Sequence, residues 1–205
     1  MICIIDYKLG NICSLVKAFN QMDGKVIVSN NISDIQNAEK LVLPGVGSFK
    51  KGMEHLQQYN LIDVLQEEVF KRKKPFLGIC LGMQLLFKNS EEDGFVEGLG
   101  FVEGVVRKFS FNSDEGLKVP HMGWNNIFGE KFDAINIFEG VEENSNFYFV
   151  HSYHALLSEE ISCVYTDYGY DFVSALQKDN IYGTQFHPEK SQKEGLKIIK
   201  NFIQL

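Results

Sequence analysis

The sequence carries no excess of positive charge. Among 205 residues, 20 are Lys or Arg and 27 are Asp or Glu, giving a net charge of −7 and a pI of about 5.3. Such a chain has no basic footprint for nucleic acid. It also lacks paired cysteines: Cys3, Cys13, Cys80 and Cys163 are scattered, with no C-x-x-C spacing. That argues against a disulfide framework or a thiolate metal site, so no metal is expected and a reducing cytoplasm is the expected setting. No apolar run is long enough to span a bilayer, so no membrane is expected either. Met1–Asp6 is apolar but too short, and lacks the basic start, for a secretory leader. Repeats, low-complexity tracts and linkers are missing as well. A chain of this length can bury a sizeable core, and residues 1–205 read as one domain.

What is present is organised around Lys74-Pro75-Phe76-Leu77-Gly78-Ile79-Cys80-Leu81-Gly82-Met83-Gln84-Leu85-Leu86. Phe76–Ile79 is a short apolar run bounded by Pro75, the pattern of a buried parallel strand. Met83–Phe87 reads as the start of a helix. Cys80 then sits at a sharp strand-to-helix turn, with Gly78 and Gly82 allowing the tight bend. This is the nucleophile-elbow arrangement with sulfur in place of oxygen, and it leaves the Leu81 N–H aimed at whatever the sulfur attacks. A helix N-terminus at that point also stabilises a thiolate. Alone, G-x-C-x-G is equally well explained by a small buried residue. The balance shifts with Gly183-Thr184-Gln185-Phe186-His187-Pro188-Glu189. There a histidine leaves a strand end with a carboxylate two residues on, as the base and orienting member of a triad require.

Along the chain, Ile2–Asp6 reads as a first buried strand. Ile12, Leu15, Val16 and Phe19 follow at helical spacing, with Asn11 as a plausible N-cap. Lys25–Ser29 and Lys40–Leu43 are further strands. The order predicts a mostly parallel α/β sheet flanked by helices, with ligands off the carboxyl ends of the strands. Pro44-Gly45-Val46-Gly47-Ser48-Phe49 follows the third strand and is the best source of a second oxyanion donor, from Gly45, Val46 or Gly47, beside Leu81. One long helix is expected from Lys50 to Lys73, with His55 on its surface and Lys71–Lys74 as a solvated basic end. From Leu99 to Tyr182 short strands predict an antiparallel extension, including Gly100–Phe111, Val119–Phe128, Phe147–Leu157 and an Asp179-Asn180 hairpin. His151 and His154 are alternative bases, but no carboxylate is near either in sequence. Lys190–Leu205 closes with a helix.

Taken together, the elbow and the distant H-P-E resemble the triad-type, class I glutamine amidotransferases. More narrowly, Asp6-Tyr7 with Gly10-Asn11, Pro44–Phe49, Gly78–Leu86, Pro120–Asn125, Phe149–Tyr153 and Gln185–Ser191 resemble the glutaminase subunits of imidazole glycerol phosphate synthase. The likeness spans nearly the whole chain and implies a flavodoxin-like fold and no cofactor. It implies that Cys80 attacks L-glutamine, that His187 is the base and Glu189 its orienting partner. It implies Gln84, Ser152 and Tyr153 as glutamine-holding positions. It implies an interface of Gly10, Asn11, Pro120, Trp124, Asn125, Tyr148 and Lys190 toward a (β/α)8-barrel cyclase, in a heterodimer that channels ammonia. The chain departs from the family at Lys8-Leu9, where a small residue is usual. Two other roles use the same motifs: ammonia supply to a sugar amidotransferase of surface-glycan synthesis, and a stand-alone γ-glutamyl hydrolase.

Overall fold

The computed structural model describes residues 1–111 and 116–205. Strand β1 (Ile2–Ile5) lies between β2 (Val26–Ser29) and β3 (Lys40–Leu43), and all three are parallel. β4 (Phe76–Ile79) pairs with β3 on one side and with β13 (Ile181–Thr184) on the other, again in parallel. The apolar runs of these strands are continuous because both faces are covered. Alternation along β1 sends Cys3 and Ile5 into one core and Ile2 and Ile4 into the other. On the second face, α1 (Ile12–Gln21) and α6 (Gln192–Gln204) meet edge to face through Phe19 and Phe202, ring centroids 6.5 Å apart. Such a pair adds about 0.5–1.5 kcal/mol beyond its buried area.

Beyond β13 the sheet continues antiparallel through β12 (Asp171–Lys178), which pairs with β11 (Ser162–Asp167) and β10 (Tyr153–Leu157). β10 pairs with β7 (Val102–Lys108), whose other neighbour is β5 (Phe87–Ser90), and β6 (Val96–Glu97) ends the sheet. The expected parallel sheet with an antiparallel second half is therefore present. β8 (His121–Asn126) and β9 (Asn146–His151) form a separate two-stranded antiparallel sheet. No helix among the described residues is long and apolar enough to cross a membrane.

Four local expectations are corrected. The long helix over Lys50–Lys73 is two helices, α3 (Phe49–Gln58) and α4 (Leu61–Gln66), broken by Asn60 in the left-handed conformation at φ 55°. A π-turn over Glu67–Lys71 follows and buries Glu68 fully, where Arg72 (3.2 Å) and Lys74 (2.5 Å) neutralise it. Lys74 is thus no solvated helix end; it also donates to the Ile35 and Gln36 carbonyls. The helix after the elbow, α5 (Leu81–Gln84), is a single turn. The Leu85 and Leu86 carbonyls are taken instead by the N–H groups of Leu99, Phe101 and Val102, which draw the chain back into the sheet at Phe87. α2 (Ile32–Asn37) was not anticipated; the Asn31 side chain caps it by accepting from the Ser33 N–H. Finally, the run Phe147–Leu157 is two strands, interrupted at Ser152.

Candidate active site

β4 and β13 are in register, with Gly183 beside Gly78 and Thr184 beside Ile79, so both deliver their next residues to the same edge of the sheet. Cys80 adopts φ 54°, ψ −109°, a sparsely populated conformation costing about 1–3 kcal/mol. It is held there by its N–H donating to the Thr184 carbonyl (2.7 Å) and its own carbonyl accepting from the Gln84 N–H (3.1 Å). The flanking glycines do not supply the unusual torsion; the cysteine does. They are needed for close packing: a Cβ on Gly82 would lie 1.8 Å from the Leu43 carbonyl oxygen, and one on Gly78 2.6 Å from that of Gly82. Because α5 is one turn long, its dipole contributes little at Cys80. The polar groups around the sulfur matter more.

Those groups come from the far end of the chain. His187 is buried, anchored by its N–H to the Tyr148 carbonyl (2.9 Å). Its Nδ1 lies 2.8 Å from Oε1 of Glu189, which the 3₁₀ turn Pro188–Lys190 turns back toward the ring. Nε2 of His187 is buried and has no hydrogen-bond partner among the described residues. Burial alone would lower the pKa of His187, but the Cys80 sulfur and then the Glu189 carboxylate outweigh it and raise it to about 10. At neutral pH the ring is therefore held as imidazolium. The alternative bases are excluded by the same physics. Burial pushes His151 down to about 3, and its ring nitrogens face the Tyr153 carbonyl and His121. His154 is lowered by burial and faces the Tyr170 hydroxyl at 2.9 Å. His55 is not a free surface residue, since its Nδ1 meets the Tyr7 carbonyl at 2.8 Å.

In front of Cys80 lies a cavity of about 350 Å³ lined by Val46, Gly47, Cys80, Leu81, Gln84, Glu92, Pro120, Val150, His151, Ser152 and Tyr153. Leu81, Val46 and Gly47 thus face one space with the sulfur, as do Gln84, Ser152 and Tyr153. Leu81 opens α5, so its N–H has no intrahelical acceptor. Gly47 has φ 117°, a backbone that favours glycine. A Cβ on Gly45 would lie 2.3 Å from the Tyr7 hydroxyl and 2.8 Å from the Leu81 Cβ, so the loop rests directly on the elbow. A larger cleft of about 1110 Å³ beyond β11, near Phe132 and Tyr165, is lined by Cys163 and several carboxylates but, among the described residues, by no histidine.

Three residues escaped the sequence reading. Glu92 is, among the described residues, the one carboxylate lining the catalytic cavity; burial raises its pKa, and its Oε2 accepts the Phe49 N–H at 2.7 Å. Only its position in the turn after the elbow element could have signalled it. Gln185 stands two residues before the H-P-E motif, and its amide nitrogen is 3.7 Å from the Cys80 sulfur. Tyr7 is buried with its hydroxyl against Gly45 and unpartnered among the described residues, and burial, then Cys80, raises its pKa.

The residues assigned to a partner surface divide. Pro120 reaches the cavity itself, and Gly10 packs on Pro44, with Asn11 exposed beside it. Trp124 is 47 % exposed, edge-on to Tyr148 at 6.0 Å, and the Lys190 ammonium lies 5.7 Å from the Tyr148 ring centre. Asn125 does not join them. Successive side chains on a strand point to opposite faces. With Met122 and Trp124 outward, Asn125 turns inward and donates to the Asp167 carbonyl at 2.9 Å. Lys8, the departure from the family pattern, sits at φ 68°, where glycine is at ease, braced by ion pairing with Asp6 at 2.6 Å.

Comparison with known proteins places these observations. A family model described as glutamine amidotransferase class-I matches residues 3–205. The chain is 49 % identical to imidazole glycerol phosphate synthase subunit HisH 1 of Campylobacter jejuni strain RM1221, covering all of both chains. It is 48 % identical to imidazole glycerol phosphate synthase subunit HisH of Methanocaldococcus jannaschii, again over the full length of both. Among solved structures, a glutamine amidotransferase superposes with a TM-score of 0.71 at 15 % identity, covering 100 % of this chain and 99 % of the other, which speaks to the fold.

Proposed function

Because the chain belongs to the class-I glutamine amidotransferase family, we propose that it is the glutaminase subunit of an imidazole glycerol phosphate synthase. It hydrolyses L-glutamine and hands the ammonia to a (β/α)8-barrel cyclase. The observation that carries the chemistry is the strained Cys80 at the floor of the cavity with the His187–Glu189 pair buried behind it.

Cys80 attacks as the thiolate, the nucleophilic form of a thiol, with the proton on His187. The Cys80 sulfur adds to the carboxamide carbon of glutamine. The oxyanion that forms accepts from the Leu81 N–H and from the Gly45-Val46-Gly47 loop. His187 gives its Nε2 proton to the departing amide nitrogen, and ammonia leaves a glutamyl thioester. The neutral imidazole then takes a proton from water, whose oxygen attacks the thioester; the C–S bond breaks, the Cys80 sulfur leaves as thiolate beside the protonated ring, and glutamate departs. Glu189 keeps Nδ1 protonated and the ring in plane throughout. Ser152 and Tyr153 hold the amino-acid end of glutamine, and the Glu92 carboxylate offers a counter-charge to its ammonium.

Gly10, Asn11, Pro120, Trp124, Tyr148 and Lys190 form the rim onto which the cyclase docks. Ammonia then joins a ribonucleotide intermediate there, yielding imidazole glycerol phosphate and an aminoimidazole carboxamide ribotide. A cytoplasmic location follows from that pathway. The test is glutamine turnover by the purified chain alone and with the barrel cyclase and its ribonucleotide ligand. Weak activity alone and strong stimulation by the pair supports the reading. Full activity alone would instead support a stand-alone γ-glutamyl hydrolase. No stimulation, with Cys80 still labelled by a glutamine-mimicking electrophile, would redirect the ammonia to a sugar amidotransferase.

A further inference from the structure

We propose that Gln185 is a positioning residue for the nucleophile: its side-chain amide donates to the Cys80 sulfur and favours the thiolate, and Gln84 fixes the direction of that amide. The inference rests on the glutaminase reading for its place in the reaction, but its geometry stands on the chain alone.

The direction of each bond is settled from one fixed point. The Tyr153 carbonyl can only accept, and the Gln84 side chain lies 2.9 Å from it, so the Gln84 nitrogen must be the atom there. That same nitrogen is 3.0 Å from the Gln185 side chain and has a second hydrogen to give, so Gln185 presents its oxygen to Gln84. With its oxygen so occupied, Gln185 turns its nitrogen to Cys80, 3.7 Å from the sulfur. Flipping Gln84 would set its oxygen against the Tyr153 carbonyl oxygen, and flipping Gln185 would set its nitrogen against the Gln84 nitrogen. Both glutamines are buried, Gln185 completely, so water does not compete for these bonds.

An N–H aimed at sulfur is worth most when the sulfur is an anion, because charge-assisted hydrogen bonds are roughly twice as strong as neutral ones. The opposing contact favours the thiol: the Val150 carbonyl, 3.9 Å away, can only accept S–H. Gln185 thus tips the sulfur toward the reactive form. The chain also dictates how Gln84 meets glutamine. Both of its N–H groups are spent on Tyr153 and Gln185, so it has only an oxygen left for the cavity, and can accept from the substrate but not donate to it.

The test reads the thiolate directly. Alkylation of Cys80 by iodoacetamide is followed by mass spectrometry of its own peptide, against pH, in the wild type, Gln185→Leu and Gln185→Glu. Expected is an upward shift of the alkylation profile in both variants, with a roughly tenfold lower rate at neutral pH that recovers at high pH. A parallel fall in kcat for glutamine should accompany it, with KM much less affected. Gln185→Glu is nearly isosteric and still accepts from Gln84, so it carries the test if the leucine variant fails to fold. A wild-type alkylation profile in a folded Gln185→Glu protein overturns the proposal. The alkylation readout needs no glutamine. A wild type that alkylates normally but hydrolyses no glutamine would therefore defeat the glutaminase reading and leave this one standing.

Discussion

His187 is where charge and burial compete most sharply. Two neighbours favour the charged ring against burial, and the Cys80 sulfur is the stronger of them. Removing the sulfur in Cys80→Ala lets burial regain weight, so the His187 titration followed by NMR should move down from about 10 while Glu189 keeps it from falling as far as His151. A His187 titration unchanged in that variant would mean the sulfur does not face the ring. Linkage gives the sign for stability. The folded pKa lies above the free value near 6.5, so the contribution is complete below pH 6.5 and is lost as pH rises through about 10. Denaturant midpoints of the wild type should therefore decline across that window more than those of Cys80→Ala. In catalysis, Cys80→Ala should abolish glutamine-dependent synthesis while ammonia-dependent synthesis by the complex survives. Glu189→Gln should be milder, because the orienting member of a triad costs less than the nucleophile.

At the scale of elements, what the sequence made legible was whatever repeats with a period. β1, β3, β4 and β13 were readable as apolar runs, and α1 and α6 as apolar stripes, because a buried face imposes that pattern. The single-turn α5 and the break at Asn60 were not readable, because each is decided by contacts made elsewhere. Leu85 and Leu86 continue a helical pattern, yet their carbonyls are claimed by residues 99–102. The triad was legible because both halves sit at strand ends, whereas Gln185 acquires meaning only when β4 and β13 lie side by side, and Glu92 only when the turn after β5 meets Phe49. Three substitutions at two positions probe these elements. Asn60→Ala keeps every contact of α3 and α4 but forces an alanine to φ 55°. It should cost about 1 kcal/mol, seen as a fall of about 2–4 °C in Tm for a chain of this size. Asn60→Gly should restore or exceed the wild-type value. Gly82→Ala places a methyl 1.8 Å from a backbone oxygen that cannot yield without moving β3. It should reach or exceed the upper end of the ~1–3 kcal/mol cost of overpacking, and slow Cys80 alkylation even where the fold survives. Normal alkylation with wild-type stability would contradict the packing account of the elbow.

For the molecule as a whole, the cavity opens among side chains that water does not favour. Val46, Val119, Met122 and Trp124 are all at least 38 % exposed, and Pro120 links them to the space in front of Cys80. A monomer has little reason to present such a rim around its catalytic cavity unless a partner covers it. The strand alternation of β8 makes a sharp distinction within it. Trp124 faces out and Asn125 faces in, so two adjacent residues should respond oppositely to truncation. Trp124→Ala removes an exposed aromatic whose loss at the centre of an interface costs 2 kcal/mol or more. It should weaken cyclase binding roughly 30-fold, with little effect on the melting temperature. Asn125→Ala removes the donor to the Asp167 carbonyl. It should lower stability by about 1 kcal/mol and leave cyclase affinity within twofold. Because Trp124 is the only tryptophan in the chain, its fluorescence reports the docking without a label. Acrylamide quenching should drop when the cyclase binds, and should be unaffected by glutamine alone. If the cyclase binds tightly while Trp124 stays as open to acrylamide as before, the partner sits elsewhere. The ammonia would then have to leave the cavity by a route that does not pass the Pro120–Trp124 rim.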